Sequence, residues 1–282
     1  MAAIDGLLES RDGVPSPYKI RVLTRDINGA RAKALAATGV ECVQGTFEDF
    51  AAVAKAMDGV YGAGQPYMPK TRAGYDSRYQ AEHLNAKGRV TEFIKGMPST
   101  VGDTGLSWSV MNTGVYMKMP ETPFVGPFNV RADGTRVFAS QMEDGKMAMM
   151  TLKDVGFWTR WIFDHRAETS DQDLSVASDM LDWDTLVTTF TRAMGFPAVH
   201  LRLAPEEWRS HFIDAEITPM ASMAARGDGS TTVKENYTRW WALYRDNSTE
   251  MWMRETGYAG IPDAGPLKGS SGIVPNLEKM KL

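Results

Sequence analysis

Apolar and polar positions follow one repeated order over the first sixty residues. YKIRVLTRD (18–26) is a short apolar run around Ile20, Val22 and Leu23 that ends in a polar tip, which predicts a buried strand. NGARAKALAA (28–37) predicts a helix capped by Asn28 and stopped by Gly39. VECVQG (40–45) predicts a second strand, FEDFAAVAKAM (47–57) a second helix, and DGVYGA (58–63) a third strand. Strand, helix, strand, helix, strand at this spacing is the signature of parallel βαβ units. Ahead of it, AIDGLLES (3–10) reads as the end of a helix, broken by RDGVPSP.

The order then changes. QPYMPKTRAGYDSRY (65–79) reads as loop, residues 80–95 as a helix, and GLSWSVMNTG (105–114) as a strand between Gly105 and Gly114. Prolines at 120, 123 and 127 suit a crossing into a second lobe. TRVFAS (135–140) and KMAMMT (146–151) predict a hairpin around EDG. GFWTRWIFDH (156–165) predicts a helix with an aromatic face, LSVASDM (174–180) one strand, and DWDTLVTTFTRAMG (182–195) a helix capped by Asp182. EEWRSHFIDAEI (206–217) follows VHLRLAP, and KENYTRWWALYRDN (234–247) predicts an aromatic-rich helix. Residues 257–282, with five glycines and three prolines, predict an extended tail. The organisation expected is a first domain over 1–115, a lobe over 116–256 with elements that return to the main sheet, and a tail over 257–282.

Composition narrows the partners. At 43% hydrophobic and 23% charged residues the chain is of ordinary globular make-up. A formal net charge of -4 supplies no overall positive field, so direct nucleic-acid binding is not expected. An anionic cofactor stays open, because a helix N-terminus binds phosphate in an acidic protein too. Cys42 is the one cysteine, which excludes an internal disulfide and fits a reducing, cytoplasmic setting. No apolar run reaches 18 residues, so no membrane contact is expected.

Several residue types at these places carry chemistry. Thr24 and Arg25 stand at the tip of the first strand, which in a βαβ nucleotide fold faces the adenosine ribose. An arginine there pairs with a 2′-phosphate, so Arg25, with Arg31, points to NADP rather than NAD; a solvated strand end paired with Asp26 is the alternative. Gly6 and Gly13 form neither GxxGxxG nor GxGxxG. GVYGAG (59–64), with Gly62, either lets backbone approach a ribose or is a tight strand exit. Tyr67, Lys70, Tyr75, Tyr79 and Lys87 cluster near the break in pattern. A tyrosine beside a cation can give a proton to a carbonyl oxygen, and a lysine can orient a ribose or hold an oxyanion; an exposed helix face is the plainer role for Lys87. Histidines 83, 165, 200 and 211 share no metal-ligand spacing, and no metal site is expected. Phe157, Trp158 and Trp161, with Trp240, Trp241 and Tyr244, leave three roles open: pocket wall, core, or dimer surface.

YKIRVLTRD (18–26), GVECVQGTFED (39–49), AMDGVYG (56–62), HLNAKGRVTEFI (83–94), GLSWSVMNTG (105–114) and LKDVG (152–156) together resemble the NmrA-like family of atypical short-chain dehydrogenases/reductases, most closely its fungal members. The pieces keep the family order and cover roughly residues 3–215. The resemblance implies a Rossmann domain with a smaller substrate lobe, NADP as cofactor, Thr24 and Arg25 beside the adenosine phosphate, Lys87 near the nicotinamide, and Tyr67 as the loop tyrosine. The chain departs from the family in two places. The resemblance implies that the first strand with its glycine loop is missing, and that a helix and a central strand are missing between Gly64 and Gln65. The expected fold class is therefore α/β: an incomplete Rossmann-like parallel sheet with a smaller α+β second lobe. A shortened gene product and a cofactor-free descendant both account for this pattern, and the lost loop implies weak NADP binding. Three functions follow: reduction of a carbonyl or enone of a small organic metabolite, non-catalytic NADP sensing with a homodimer or protein partner, and cofactor-independent isomerase, dehydratase or cyclase chemistry in fungal secondary metabolism.

Overall fold

A computed structural model describes residues 1–46, 48–58, 90–102, 106–118, 125–140, 145–211 and 248–260. The chain divides into two compact units, Met1–Gln65 with Val155–Arg166, and Pro66–Asp154 with Ala167–Leu282. The boundary expected at 115 lies inside the second unit, where one strand follows directly on another.

The first unit contains the expected βαβ motif. β1 (Arg21–Thr24) pairs in parallel with β2 (Glu41–Gln44), Val22 level with Cys42. The crossover α2 (Ala30–Ala37) buries Ala32 and Leu35. Its cap differs from expectation. Asp26 Oδ1 accepts the Asn28 amide at 2.8 Å, which holds Asn28 in a turn, and the helix starts one residue later on Gly29 without a side-chain cap. Gly39 closes the helix at φ +85°, as its position predicts. α3 (Phe50–Met57) is capped by Asp49, whose Oδ1 accepts the Ala52 amide at 3.0 Å.

α1 (Ala2–Leu8) is bound within the same unit to residues 155–164 of α5 (Leu152–Asp164), the helix expected over 156–165. A Cβ on Gly6 would stand 2.2 Å from the Gly156 carbonyl oxygen, so the two backbones meet where neither residue has a side chain. Buried Arg160 forks both Asp164 oxygens with Nε at 2.9 and 2.8 Å, and donates to the Leu7 and Glu9 carbonyls at 3.3 and 3.2 Å. The carbonyls at the end of α1 thus find a charged donor. Asp12 and Gly13, at φ +51° and +75°, make a tight turn closed by the Arg11–Val14 bridge.

Among the described residues, the second unit holds strands in three small sheets. β3 (Ser109–Thr113) pairs in parallel with β8 (Gln172–Val176). β7 (Met147–Met150) lies between β4 (Val115–Tyr116), parallel, and β9 (Asp179–Leu181), antiparallel. β6 (Arg136–Ser140) lies between β10 (Ala198–Arg202), parallel, and β5 (Pro127–Val130), antiparallel. The expected β6–β7 hairpin does not form, because each strand finds its partners elsewhere. The single strand expected over 174–180 is split at Ala177–Ser178 between two sheets. Residues 90–95 are helical (α4), and α6 (Arg166–Thr169) is a single turn.

α7 (Trp183–Met194) starts where its sequence says it should, with Asp182 Oδ1 accepting the Thr185 amide at 2.7 Å, and ends on left-handed Gly195. α8 (Pro205–Ser210) follows β10. α9 (Thr249–Thr256), not anticipated from the sequence, starts at Ser248 and packs on α7. Between them lies a core of Phe138, Leu186, Phe190 and Tyr258 with the thioethers of Met117, Met149 and Met253. The strand expected over 58–63, the helix over 234–247 and residues 261–282 lie outside the described residues, apart from Asp58.

Candidate functional site

Parallel pairing places the carboxyl ends of β1 and β2 side by side, and α2 begins just beyond the first. The Thr24 hydroxyl donates to the Asp26 carbonyl at 3.3 Å, and the Thr24 carbonyl accepts from the Gly45 amide at 2.9 Å. Arg25 is exposed, and its carbonyl accepts from Gln44 Nε2 at 3.4 Å. Across the edge the Thr46 hydroxyl, the residue's own amide and Arg25 hold the Glu48 carboxyl below the usual carboxylate range. Gly45 makes the edge compact: a Cβ there would stand 2.3 Å from that of Ala52 and 3.1 Å from Leu23 Cδ1. An exposed guanidinium, a hydroxyl and the first turn of α2, which has no side-chain cap, suit a phosphate monoester. Arg31 is exposed in that first turn.

The two early glycines have other duties. Gly6 is held in a helix contact and Gly13 in the 11–14 turn, so neither offers a loop for a diphosphate. Gly62, Tyr67 and Lys87, like Lys70, Tyr75 and Tyr79, lie outside the described residues. Of the expected site residues, Thr24 and Arg25 are the pair brought together here.

The second unit has a cleft of about 280 Å³ that the sequence reading missed. Met117 and Lys118 follow β4, Thr151 and Lys153 follow β7, and Trp252 and Glu255 come from α9. Carboxyl ends of parallel strands again supply the floor. Leu152 and Lys153 fall in the LKDVG segment, so one wall carried a sequence signal; α9 carried none. Beneath, the Ser178 hydroxyl bonds to buried Asp154 and accepts the Thr151 amide at 2.9 Å, while the Asp154 amide bonds to Thr151 Oγ1 at 3.0 Å. This buried chain fixes the start of α5 to the β8–β9 link. Trp158 is fully buried, and Trp161 stacks on His165 at 4.3 Å, so the core role holds for Trp158. Trp240, Trp241 and Tyr244 lie outside the described residues.

No family model matches the sequence, and no curated protein matches it. Solved structures do. The NADPH-dependent quinone oxidoreductase QOR2 of Escherichia coli superposes with a TM-score of 0.61 at 18% identity, over 91% of this chain and 95% of its own. NmrA, a negative transcriptional regulator solved with NADP, gives 0.57 at 15% identity, over 83% and 86%. This chain has the Rossmann-like fold of NmrA. The triphenylmethane reductase of a Citrobacter species, solved with NADP(H), gives 0.52 at 13% identity over 91% and 95%. The NmrA likeness thus reaches both units, and the fold class is α/β with parallel sheet pieces. No described helix is long and apolar enough to cross a membrane.

Proposed function

We propose that this chain is an NmrA-like NADP-binding protein and a reductase of a small organic carbonyl or enone. The observation that carries the reading is Arg25, exposed at the carboxyl end of β1 beside the start of α2. There it fits the 2′-phosphate of an adenosine ribose, with Thr24 beside it. Neighbours of the same fold solved with NAD, NADP or NADPH support the choice of cofactor. Gly62, in the segment after α3, is assigned to the ribose. The cofactor supplies a hydride when bound. Lys87 orients the ribose or holds developing negative charge, and Tyr67 gives the proton to the substrate oxygen. The cleft between Lys118, Lys153 and Trp252 is close in size to small-ligand pockets and is assigned to an organic molecule.

Calorimetric titration with NADPH and NADH tests this. Arg25→Ala is expected to weaken NADPH about 10- to 100-fold, the equivalent of about 1.5–3 kcal/mol for a charged hydrogen bond, and to leave NADH unchanged. Absence of NADPH binding at millimolar concentration overturns the reading. A second reading, NADP sensing without turnover, is favoured by the NmrA regulator among the neighbours. It predicts NADPH binding with no consumption in the presence of quinones or enones.

A further inference from the structure

Three residues far apart in the chain meet on the parallel pair β6–β10. Ser140 Oγ lies 2.9 Å from His200 Nε2, and His200 Nδ1 lies 2.7 Å from Asp184 Oδ1. Ser140 is the last residue of β6 and stands level with Arg202, the last of β10; His200 is level with Phe138, two residues earlier. Asp184 is in the first turn of α7. Arg202 Nη2 donates to its second oxygen at 2.6 Å, and the Trp183 ring stacks on the imidazole at 5.8 Å and 18°. The carboxylate is oriented from one side and the imidazole is held flat from another.

The direction of the hydrogens follows. His200, then Arg202, holds the Asp184 carboxyl below its ordinary range, so it is an acceptor. Nδ1 of His200 therefore carries hydrogen, and in the tautomer that leaves a lone pair on Nε2 the Ser140 hydroxyl donates to it. Ser140 is 2% exposed and the His200 side chain 3%, against 57% for Asp184. The hydroxyl–imidazole end is buried and the carboxylate end is exposed. A strand-end hydroxyl needs only one acceptor, and a backbone carbonyl would serve. Here it faces instead a base whose tautomer is fixed by a carboxylate, at the strand edge where open α/β sheets place their chemistry.

We propose that Ser140, His200 and Asp184 form a nucleophilic triad acting on small activated esters, a second activity in the second unit. Ser140 Oγ bonds to the acyl carbon while its proton passes to His200 Nε2. Collapse of the adduct breaks the bond to the leaving alcohol, which takes that proton. Water then attacks the acyl-serine, gives its proton to Nε2, and releases the acid as Ser140 recovers its hydrogen. Ester and water become acid and alcohol. Ser140 and His200 are catalytic, and Asp184 is the positioning residue. None of this depends on the nucleotide edge of the first unit.

The full-length chain is treated with a fluorophosphonate probe and, separately, with p-nitrophenyl acetate. Expected are phosphonylation that maps to Ser140, its loss in Ser140→Ala, and release of p-nitrophenol. In Asp184→Asn, a change at an exposed site, kcat falls roughly 100-fold or more with KM and melting temperature unchanged, because the amide reverses the imidazole tautomer. Folded wild-type protein that leaves Ser140 unlabelled overturns the proposal. So does an Asp184→Asn variant with wild-type kcat, which would reduce the array to a structural tie between α7 and β10.

Discussion

Asp182 shows what a single side chain contributes. It caps α7 through the Thr185 amide, and its carboxyl is held below the ordinary range by the Thr185 hydroxyl and amide. Asp182→Ala is expected to cost about 0.5–2 kcal/mol in thermal unfolding at neutral pH. A carboxyl depressed in the folded state stabilises above its unfolded value and ceases to do so as pH falls through the folded one. The gap between variant and wild-type melting temperatures should therefore close below about pH 4. This cap was legible because an acidic residue stood directly before an apolar helical pattern. Asn28 had a similar appearance, but it lies in a turn closed on Asp26 Oδ1 and the cap position falls one residue later, on Gly29. Ser140, His200 and Asp184 were invisible as a set. His200 is 60 residues from one partner and 16 from the other, and sequence spacing reports only local geometry.

At the scale of elements, the local units could be read and their long-range partners could not. The β1–α2–β2 motif is short in sequence and stood out. β6 and β7, adjacent in sequence, were read as a hairpin, yet β6 pairs with β10 and β7 with β4 and β9. Nothing in the alternation of a strand names its neighbour. The α1–α5 contact is a similar case, since Gly6 and Gly156 are distant in sequence and each looks like an ordinary helix glycine. A Cβ on Gly156 would stand 2.6 Å from the Ala2 carbonyl oxygen. Gly156→Leu is expected to cost about 1–3 kcal/mol through overpacking. Limited proteolysis should then cut residues 1–16 faster than in the wild type.

For the molecule as a whole, the fold was legible and the site only in part. The ordered family-like segments led to the α/β class, and the structural neighbours agree. Thr24 and Arg25 stand where the strand pattern put them. The cleft beside Trp252 depends on α9, a helix of eight mostly polar residues, and no reading of separate segments could assemble it. If NADPH binds as proposed, a hundredfold excess over Kd should add about 2.7 kcal/mol of stability. At roughly 2–4 °C per kcal/mol for a domain of this size, a thermal shift of about 5–10 °C is expected. NADH at the same concentration should give less.

The thioether-rich interior has a consequence of its own. Met117, Met149, Met150 and Met253 are at most 1% exposed, whereas Met1, Met57 and Met251 are 42–58% exposed. A sulfoxide is polar and does not suit a close-packed interior. Brief hydrogen peroxide treatment followed by peptide mass spectrometry should modify the outer three within the first minutes. The inner four should follow only as fast as that packing breathes, which turns their oxidation into a clock for its opening.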